Sequence, residues 1–539
     1  MYRPARRNRR HLAVAAAAAL GIALVPAAAF ADDGDLQQPI DFTHNGVDAP
    51  APVTSAVFGT SPGAKIGTPI CSTAPSGAAN VNTSCERNVP HNETSIAVNP
   101  TNPNNMIGGA NDYQLAVNPG GHVSETLLSR AHVTFDGGRT WTEYPLNADS
   151  AYQATGDPSV AFDADGHAYY ATLGFRFVGP VNAQNPDVIV SDSADGGRTW
   201  STSRIAQGSG NETSVGDLLD KEYVAAWGHG NAIVTFGDFR LGHQGALETG
   251  RIYASVTHNS GATWSRPTLI SGSLDQAFVS VPTVTADGRV LVAFMNTGDL
   301  ATGRDTYEVV EVSPATGARI AGPFAVALVI DGIHDYPLAF DRTTYQDSLF
   351  RTWAAGNIAA DPRNPGHLAV VWSDMRNSQT PAPEDPYTAV TNSDVIVSQS
   401  TDYGRTWSAP SAVALPNDQF MPWGAFDAAG ALRIGTFDRS GDPANHLYDY
   451  SLLTGTGTGS AARTVVSTQS SDPTRDDRWF AATVDPAFPR ATTFLGDYSN
   501  IAVVPGTTRV VAYWTDLREQ ACFAGVCGHG EDAYFGSVG

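Results

Sequence analysis

The apolar residues of this chain fall in short runs broken by Gly, Pro, Asn and Asp, which is the pattern of strands joined by tight turns rather than of long helices. One arrangement recurs. Residues 96–112 (IAVNPTNPNNMIGGAND) and 358–374 (IAADPRNPGHLAVVWSD) align without a gap, each reading as strand, Asn-Pro-type turn and strand. Shorter versions begin at Val160 (VAFDADGHAYYATLGF), Thr283 (TVTADGRVLVAFMN) and Gly424 (GAFDAAGALRIGTFDR).

A second repeat is sharper. The pattern S/T-x-D/N-x-G-x-T-W occurs at residues 134–141 (TFDGGRTW), 193–200 (SADGGRTW), 257–264 (THNSGATW) and 400–407 (STDYGRTW), with starts 59, 64 and 143 residues apart, so the last interval holds two units. Each copy sits between two strand-like runs, as DVIVSDS and WSTSRIA do around the second, and therefore reads as a hairpin turn. Its Asp or Asn accepts hydrogen bonds from turn amides, its Gly supplies a positive φ, and its Trp packs between neighbouring sheets. These carboxylates belong to structure, not to chemistry.

Joining the two kinds of hairpin gives four-strand units near residues 93–147, 156–206, 217–271, 279–328, 357–414 and 420–468, with a seventh beginning near Phe494 and one strand short. The fold class expected is all-β, a β-propeller of seven four-stranded blades, with six as the alternative. The domain reading is an export signal over 1–31, a linker or N-terminal arm over 32–90 available to supply a closing strand, and the propeller over 91–539.

The export reading rests on five Arg before residue 11, an apolar run over 12–24 and the small-residue site Ala29-Phe30-Ala31, with Arg9-Arg10 leaving a twin-arginine route open. The apolar run is too short for a confident span and nothing later replaces it, so a soluble secreted chain without a membrane span is expected. Removing the signal takes five Arg and no acid, which moves the formal charge from −22 to −27. Nucleic acid is therefore not expected as a partner, and a monomer is. The four cysteines form two local pairs, Cys71 with Cys85 and Cys522 with Cys527; three disulfide connectivities stay open, and the spacings do not read as a zinc site.

Strand parity sorts the chemistry. If the repeated turns join third and fourth strands, the opposite face of the ring receives the ends of second strands and the starts of first strands. Second strands end in Asn111-Asp112-Tyr113, Asp238-Phe239-Arg240, Asp374-Met375-Arg376, Asp438-Arg439 and Asp516-Leu517-Arg518. First strands start beside Glu93, Asp157, Asp220-Lys221-Glu222, Asp477-Arg478 and Asp497-Tyr498. All are expected to crowd one end of the central tunnel. Arg240, Arg376 and Arg518 are candidates to grip a carboxylate bidentately, the alternative being that each pairs with its local Asp and ties blades together. Glu93, Asp157, Asp220, Asp477 and Asp497 are hard oxygen ligands that could meet around calcium. The insertions at 331–356 and 375–393 are candidates to wall a pocket, with His334, Asp335, Tyr336 or Trp353 contributing. A G-x-S-x-G string at residues 59–63 lacks the strand and helix of a nucleophile elbow and is set aside.

The four turns resemble the Asp boxes of the sialidase superfamily, and GDPSVAFDADG, WSDMRN, FMPWGAFD and FLGDYSNIAV are similar to exported sialidase-like proteins of actinobacteria, over roughly residues 90–539. The resemblance implies a glycosidase-type activity on acidic glycans, with an Arg group on the substrate acid, a Tyr nucleophile activated by Glu, and an Asp as acid and base. It implies catalytic roles for Tyr498, Glu93 and Asp157, and substrate contacts from Arg240, Arg376, Arg518, Asp238, Asp374, Asp516, Asp497, Tyr113 and Tyr336. The chain departs from the enzymes in one respect: where they carry Arg-Ile-Pro on the first strand, Glu93-Thr94-Ser95-Ile96 stands here. A catalytically silent propeller that binds glycan or protein is the alternative function.

Overall fold

The computed structural model describes residues 67–86, 89–117, 123–146, 152–178, 182–211, 214–243, 246–297, 305–330, 332, 343–346, 348, 350–378, 390–455, 461–473, 494–523 and 526–539. They form seven antiparallel blades, and no α-helix occurs among them. The inner strands are His91–Val98, Ala154–Phe162, Gly216–Trp227, Ala277–Val284, Gly356–Ala360, Gln419–Phe426 and Asn500–Val503, in blades 1 to 7. Residues 1–31, read from the sequence as an export signal, together with His334, Asp335, Tyr336 and the Asp477-Arg478 pair, lie outside the described residues.

Burial follows position in the blade. Second strands such as Leu368–Asp374 and Val510–Asp516 are buried at every residue, whereas outer strands such as Ser201–Ala206 are mostly half-buried or exposed. The reason is that each sheet is sandwiched between two others. Seven apolar layers fill the seams in turn. Tyr170 and Trp200 of blade 2 pack on Ile107 and Val133 of blade 1. Val234 and Phe236 of blade 3 pack on Leu173 and Val190 of blade 2, and Val290 and Val292 of blade 4 on Ile252 and Val256 of blade 3. Trp372 meets Tyr307, Ile434 meets Val371, and Trp514 meets Tyr450 across the next three seams. The seventh closes the circle, with Val511 and Phe535 of blade 7 against Ile96 and Trp141 of blade 1. At about 25 cal/mol per Å² of apolar surface removed from water, these layers are the main favourable term.

The four repeated turns share one hydrogen-bond scheme. In the first, Asp136 Oδ1 accepts from the backbone N–H groups of Arg139 (3.0 Å) and Thr140 (2.9 Å), and Trp141 Nε1 donates to the Gly138 carbonyl at 3.1 Å. Asp195 and Asp402 repeat the scheme, and Asn259 keeps its bond from the Thr263 N–H. These bonds hold Asp136, Asp195 and Asp402 below the usual carboxylate range against the upward pull of partial burial. Gly138 is needed twice over: its φ is 95°, and a Cβ there would lie 2.2 Å from the Phe535 ring of blade 7.

Blade 7 takes its outer strand from the other end of the chain. Asn80–Asn82 pairs with Asp532–Val538, in register Val81 to Phe535. Just before it, Cys71–Ser72 adds a fifth strand to blade 1 beside Thr142–Pro145. The N-terminal arm therefore spans the closing seam, and the Cys71–Cys85 disulfide ties its two ends. Cys522 and Cys527 stand opposite each other in the hairpin of Gln520–Phe523 and Val526–His529.

The disulfide closes a loop of separation 14, which by chain entropy is worth about 3 kcal/mol. Replacing both Cys71 and Cys85 by Ser is expected to lower the unfolding free energy by about 2–3 kcal/mol in a guanidinium titration. An unchanged midpoint would show that the arm is held by its strand pairing alone.

Candidate functional site

Near the start of the inner strand in blades 1, 2, 3, 4 and 6, the pairing with the second strand is broken by a bulge. At each bulge a non-glycine residue takes a positive φ: Glu93 at 52°, Asp157 at 61°, Lys221 at 58°, Val279 at 47° and Met421 at 49°. Such backbone costs roughly 1–3 kcal/mol at each position, most of all for β-branched Val279. What it achieves is direction. A regular strand sends side chains to the neighbouring blades, whereas the bulge turns one of them toward the axis.

The result is a contact across the ring. Lys221 Nζ of blade 3 lies 2.8 Å from Asp497 Oδ2 of blade 7, 3.0 Å from Asp157 Oδ2 of blade 2 and 3.9 Å from Asp220 Oδ1. Asp497 is also gripped from the side by Arg351, whose Nε and terminal NH2 each donate to it at 2.7 Å, and by Trp353 Nε1 at 2.8 Å. Glu93 joins through Oε1, which accepts from the Asp497 N–H at 3.1 Å, and through Oε2, which accepts from Asn111 Nδ2 at 2.8 Å. Asn111 uses its other end to accept from the Asp157 N–H at 2.8 Å, so one side chain fixes two adjacent bulges. All of these charged groups are buried.

Five carboxylates, Glu93, Asp157, Asp220, Glu222 and Asp497, thus share two cations, Lys221 and Arg351. Burial pushes Asp497 up, but Arg351 and Lys221 outweigh it and hold this group below its ordinary value. Glu93 goes the other way, raised well above its ordinary value by burial and then by Asp157. Asp157 is raised as well, by burial against the downward pull of Lys221. Glu222 is likewise raised by burial and then by Asp157, and neither of its oxygens has a partner among the described residues. Lys221 is held charged by Asp157, Asp220 and Asp497 in spite of its burial. Beside the cluster, Tyr223 stacks on Trp423 at 5.8 Å and meets Tyr498 at 5.5 Å.

Glu93, Asp157, Asp497 and Tyr498, expected from the sequence to share one end of the tunnel, do lie together. The carboxylates considered for calcium do not surround an open space: Asp157, Asp220 and Asp497 converge on the Lys221 ammonium. The Tyr498 hydroxyl donates to the Pro158 carbonyl at 3.0 Å, and burial, then Glu93, raises the phenol well above its ordinary value. Tyr113 is buried on the second strand of blade 1, on the same face as Asn111.

The three arginines are elsewhere. Arg376 Nε donates to Asp374 Oδ1 at 2.8 Å and its NH2 to the Leu328 carbonyl of the outer strand of blade 4 at 2.9 Å, while Trp372 Nε1 donates to Asp374 Oδ2 at 3.0 Å. Arg518 repeats the device with Asp516, Trp514 and the Thr468 hydroxyl beyond the outer strand of blade 6. Arg240 pairs with Asp217 at 2.8 Å, leaving Asp238 pushed up to about 6 by burial and then by Asp217. These side chains staple each blade to another strand and do not meet on the axis. The guanidinium that does reach the axis is Arg351, which sequence reading passed over; its signal was the long insertion that also carries Trp353.

No family model and no curated protein matches the chain. Among solved structures, an arabinanase of Penicillium chrysogenum complexed with arabinobiose aligns at 12% identity and TM-score 0.42, over 86% of this chain and 98% of its own. A protein of unknown function from Dyadobacter fermentans aligns at 12% and 0.42 over 85% and 97%, and a Hadza microbial sialidase at 12% and 0.41 over 91% and 94%.

Two outcomes are expected from this geometry. Burial pushes Asp220 up to about 8, with Lys221 pulling the other way. A folded value above the unfolded carboxylate value of about 3.9 gives stability that is full below about pH 4 and is lost as pH rises toward 8. The melting temperature should therefore fall between pH 5 and pH 8, and Asp220→Asn should flatten that fall; parallel slopes for the two proteins would contradict the assignment. Arg376→Ala strips the buried Asp374 of its fork and should cost about 1–3 kcal/mol in a denaturant titration.

Proposed function

We propose that this chain is an exported, glycan-directed propeller that carries out glycosidase-type chemistry on acidic sugars at the axial end of the ring. The observation that carries the reading is that Glu93 and Asp157, both bonded to Asn111, stand beside Tyr498 and two cations in a set assembled from blades 1, 2, 3 and 7 and the segment holding Arg351. Scaffold features recur from blade to blade, as the Asp-x-Arg staples do, whereas this set occurs once among the described residues.

Glycoside cleavage needs one carboxyl group that keeps its proton at neutral pH and another that stays ionised. Glu93 meets the first requirement, being raised by burial and by its neighbour Asp157, and Asp497 meets the second under Arg351 and Lys221. In this reading the Tyr498 oxygen bonds to the anomeric carbon and passes its phenol proton to the Asp157 carboxylate while Glu93 protonates the leaving oxygen; water then displaces Tyr498, which regains its proton from Asp157, and the water's proton restores Glu93, with Arg351 and Lys221 setting the field in which a sugar acid group is received. Tyr498 serves as nucleophile only by giving up its bond to the Pro158 carbonyl, so substrate entry has to move the Asp157-Pro158 bulge. The four Asp-box turns and the resemblance they carry support the substrate class.

A second reading has its own support. Arg240, Arg376 and Arg518 are each committed to a carboxylate, and the Tyr498 hydroxyl is spent on backbone. Both features suit a silent propeller that binds glycan or protein.

Incubating the purified chain with a fluorogenic sialoside and related glycosides, with and without calcium, separates the two. Turnover is expected with acidic sugars, reduced about 10²–10⁴-fold in Glu93→Gln and Asp157→Asn and unchanged in Arg376→Ala. Absence of turnover across the panel, with retained glycan binding, selects the silent propeller.

A further inference from the structure

A second buried constellation lies at the closing seam, away from the axial cluster. His91 begins the inner strand of blade 1, Asp112 faces it on the second strand, His132 lies on the third and Glu143 on the fourth. All four side chains are fully buried. One ligand atom from each of His91, His132 and Glu143 lies within 4.8 Å of the others. Asp112 sits between the rings, with Oδ1 3.2 Å from His91 Nε2 and Oδ2 3.3 Å from His132 Nε2.

The hydrogen bonding of this group is incomplete in one direction only. His132 Nδ1 is backed by the hydroxyls of Thr83 and Tyr513, both at 3.0 Å, which fixes the ring and aims Nε2 inward. Glu143 Oε1 accepts from the Cys85 N–H at 2.6 Å, while Oε2 has no hydrogen bond. Asp112 Oδ1 and both nitrogens of His91 also lack one. Thus the outward atoms are held by the arm and by blade 7, and inward only His132 Nε2 and Asp112 Oδ2 are joined, at 3.3 Å, while Glu143 Oε2, Asp112 Oδ1 and the His91 nitrogens have no hydrogen bond. Buried polar atoms in that state cost free energy unless something joins them. The acids outnumber the guanidinium as well: Glu86 and Glu143 flank Arg130, and Asp112 lies between the two imidazoles.

We propose that His91, His132 and Glu143, flanked by Asp112, form a structural site for a divalent first-row metal of the zinc kind. Two imidazoles and a carboxylate suit Zn²⁺, whose bonds of about 2.0–2.1 Å set tetrahedral ligand atoms about 3.3 Å apart, while calcium prefers six to eight oxygens. A 2+ ion also makes up the charge that Arg130 leaves uncompensated. The outward bonds of His132 and Glu143 are the orienting partners expected around metal ligands. Full burial keeps a substrate out, which makes the site a staple rather than a catalyst. The spacing of the ligands along the chain carries no metal signature because each comes from a different strand.

The room for the site is explained by the glycine at 108. A Cβ there would lie 2.7 Å from the Tyr513 ring, which crosses from blade 7 to reach His132. The staple therefore joins three parts at once: blade 1 through its ligands, blade 7 through Tyr513, and the N-terminal arm through Thr83 and Cys85.

The test uses the full exported chain, untagged, with metal content read by plasma mass spectrometry. About one equivalent of zinc is expected as purified or after refilling, with dipicolinate lowering the melting temperature by at least about 5 °C and Zn²⁺, but not Ca²⁺, restoring it. Cobalt refilling should give visible ligand-field absorption from the wild type, which decides the matter even if ligand variants misfold. Where they fold by circular dichroism, Glu143→Gln and His132→Asn should bind less than a tenth of an equivalent. Less than a tenth of an equivalent in the refilled wild type, no cobalt spectrum and a melting temperature indifferent to chelator and zinc would overturn the proposal and leave a self-contained charge network.

Discussion

Wedge-shaped sheets arranged in a circle bring the starts of their inner strands to a common axis, and here that convergence drives five carboxylates out of water at one place. A carboxylate buried without compensation would cost several kcal/mol, so the arrangement stands or falls with the Lys221 ammonium. It touches Asp157 and Asp497, which belong to blades 2 and 7 on either side of blade 1, and it is charged because they surround it. Arg351 supplies the second cation from outside the ring of strands. Two positive charges cannot neutralise five acids, and Glu93, Asp157, Asp220 and Glu222 are all raised by burial. These raised carboxyl groups are a direct consequence of the cluster's burial and charge balance.

The ring is not symmetric about this cluster. Axial positions in blades 7, 1, 2 and 3 carry Asp497, Glu93, Asp157 and Lys221, while the same bulge in blades 4 and 6 carries Val279 and Met421. The apolar half packs with Phe278, Trp353 and Trp423, so one wall of the axial end is aromatic and the other ionic. A sugar acid has both kinds of surface, an apolar ring face and a charged edge. That match is the physical content of preferring a glycan over a protein partner.

The expected gathering of acids and arginines at one end of the tunnel was legible only in part, and the reason is geometric. Period-two alternation and the repeated turns specify which residues form blades, and parity along each unit says at which end of the tunnel a residue lies. Both are properties of backbone repeat, so the seven blades and the placing of Glu93, Asp157 and Asp497 could be read. Parity does not say how far from the axis a side chain acts. Arg376 and Arg518 sit on second strands, one step out, and side chains of a regular strand point to adjacent blades; they therefore reach the outer strands of blades 4 and 6. Only a bulge turns a side chain inward, and bulges leave no mark in hydrophobic pattern. Lys221 did carry a signal, as one of two lysines in the chain standing where other blades have acids, but a pattern of charge cannot show that its ammonium fills the place considered for calcium.

The closing seam explains why the arm and blade 1 are unlike the rest. Every other seam lies between units consecutive in the chain, so its layers form next to segments already joined by covalent bonds. The seam between blades 7 and 1 has to bring together residues more than 400 apart, as the bond from the Asp497 N–H to Glu93 shows, and loop-closure entropy opposes that contact. Extra interactions are concentrated there: the strand Asn80–Asn82 on blade 7, the strand Cys71–Ser72 on blade 1, a disulfide between them, and Thr83 joined to both His132 and Tyr513. The axial cluster straddles the same seam, since Asp497 comes from one side and Glu93 from the other. Whatever holds the seam shut therefore also sets the distance between the acid and its ionised neighbour. A loosened seam would disperse the charge balance that keeps Glu93 protonated, which couples the stability of the ring closure to the chemistry at its centre.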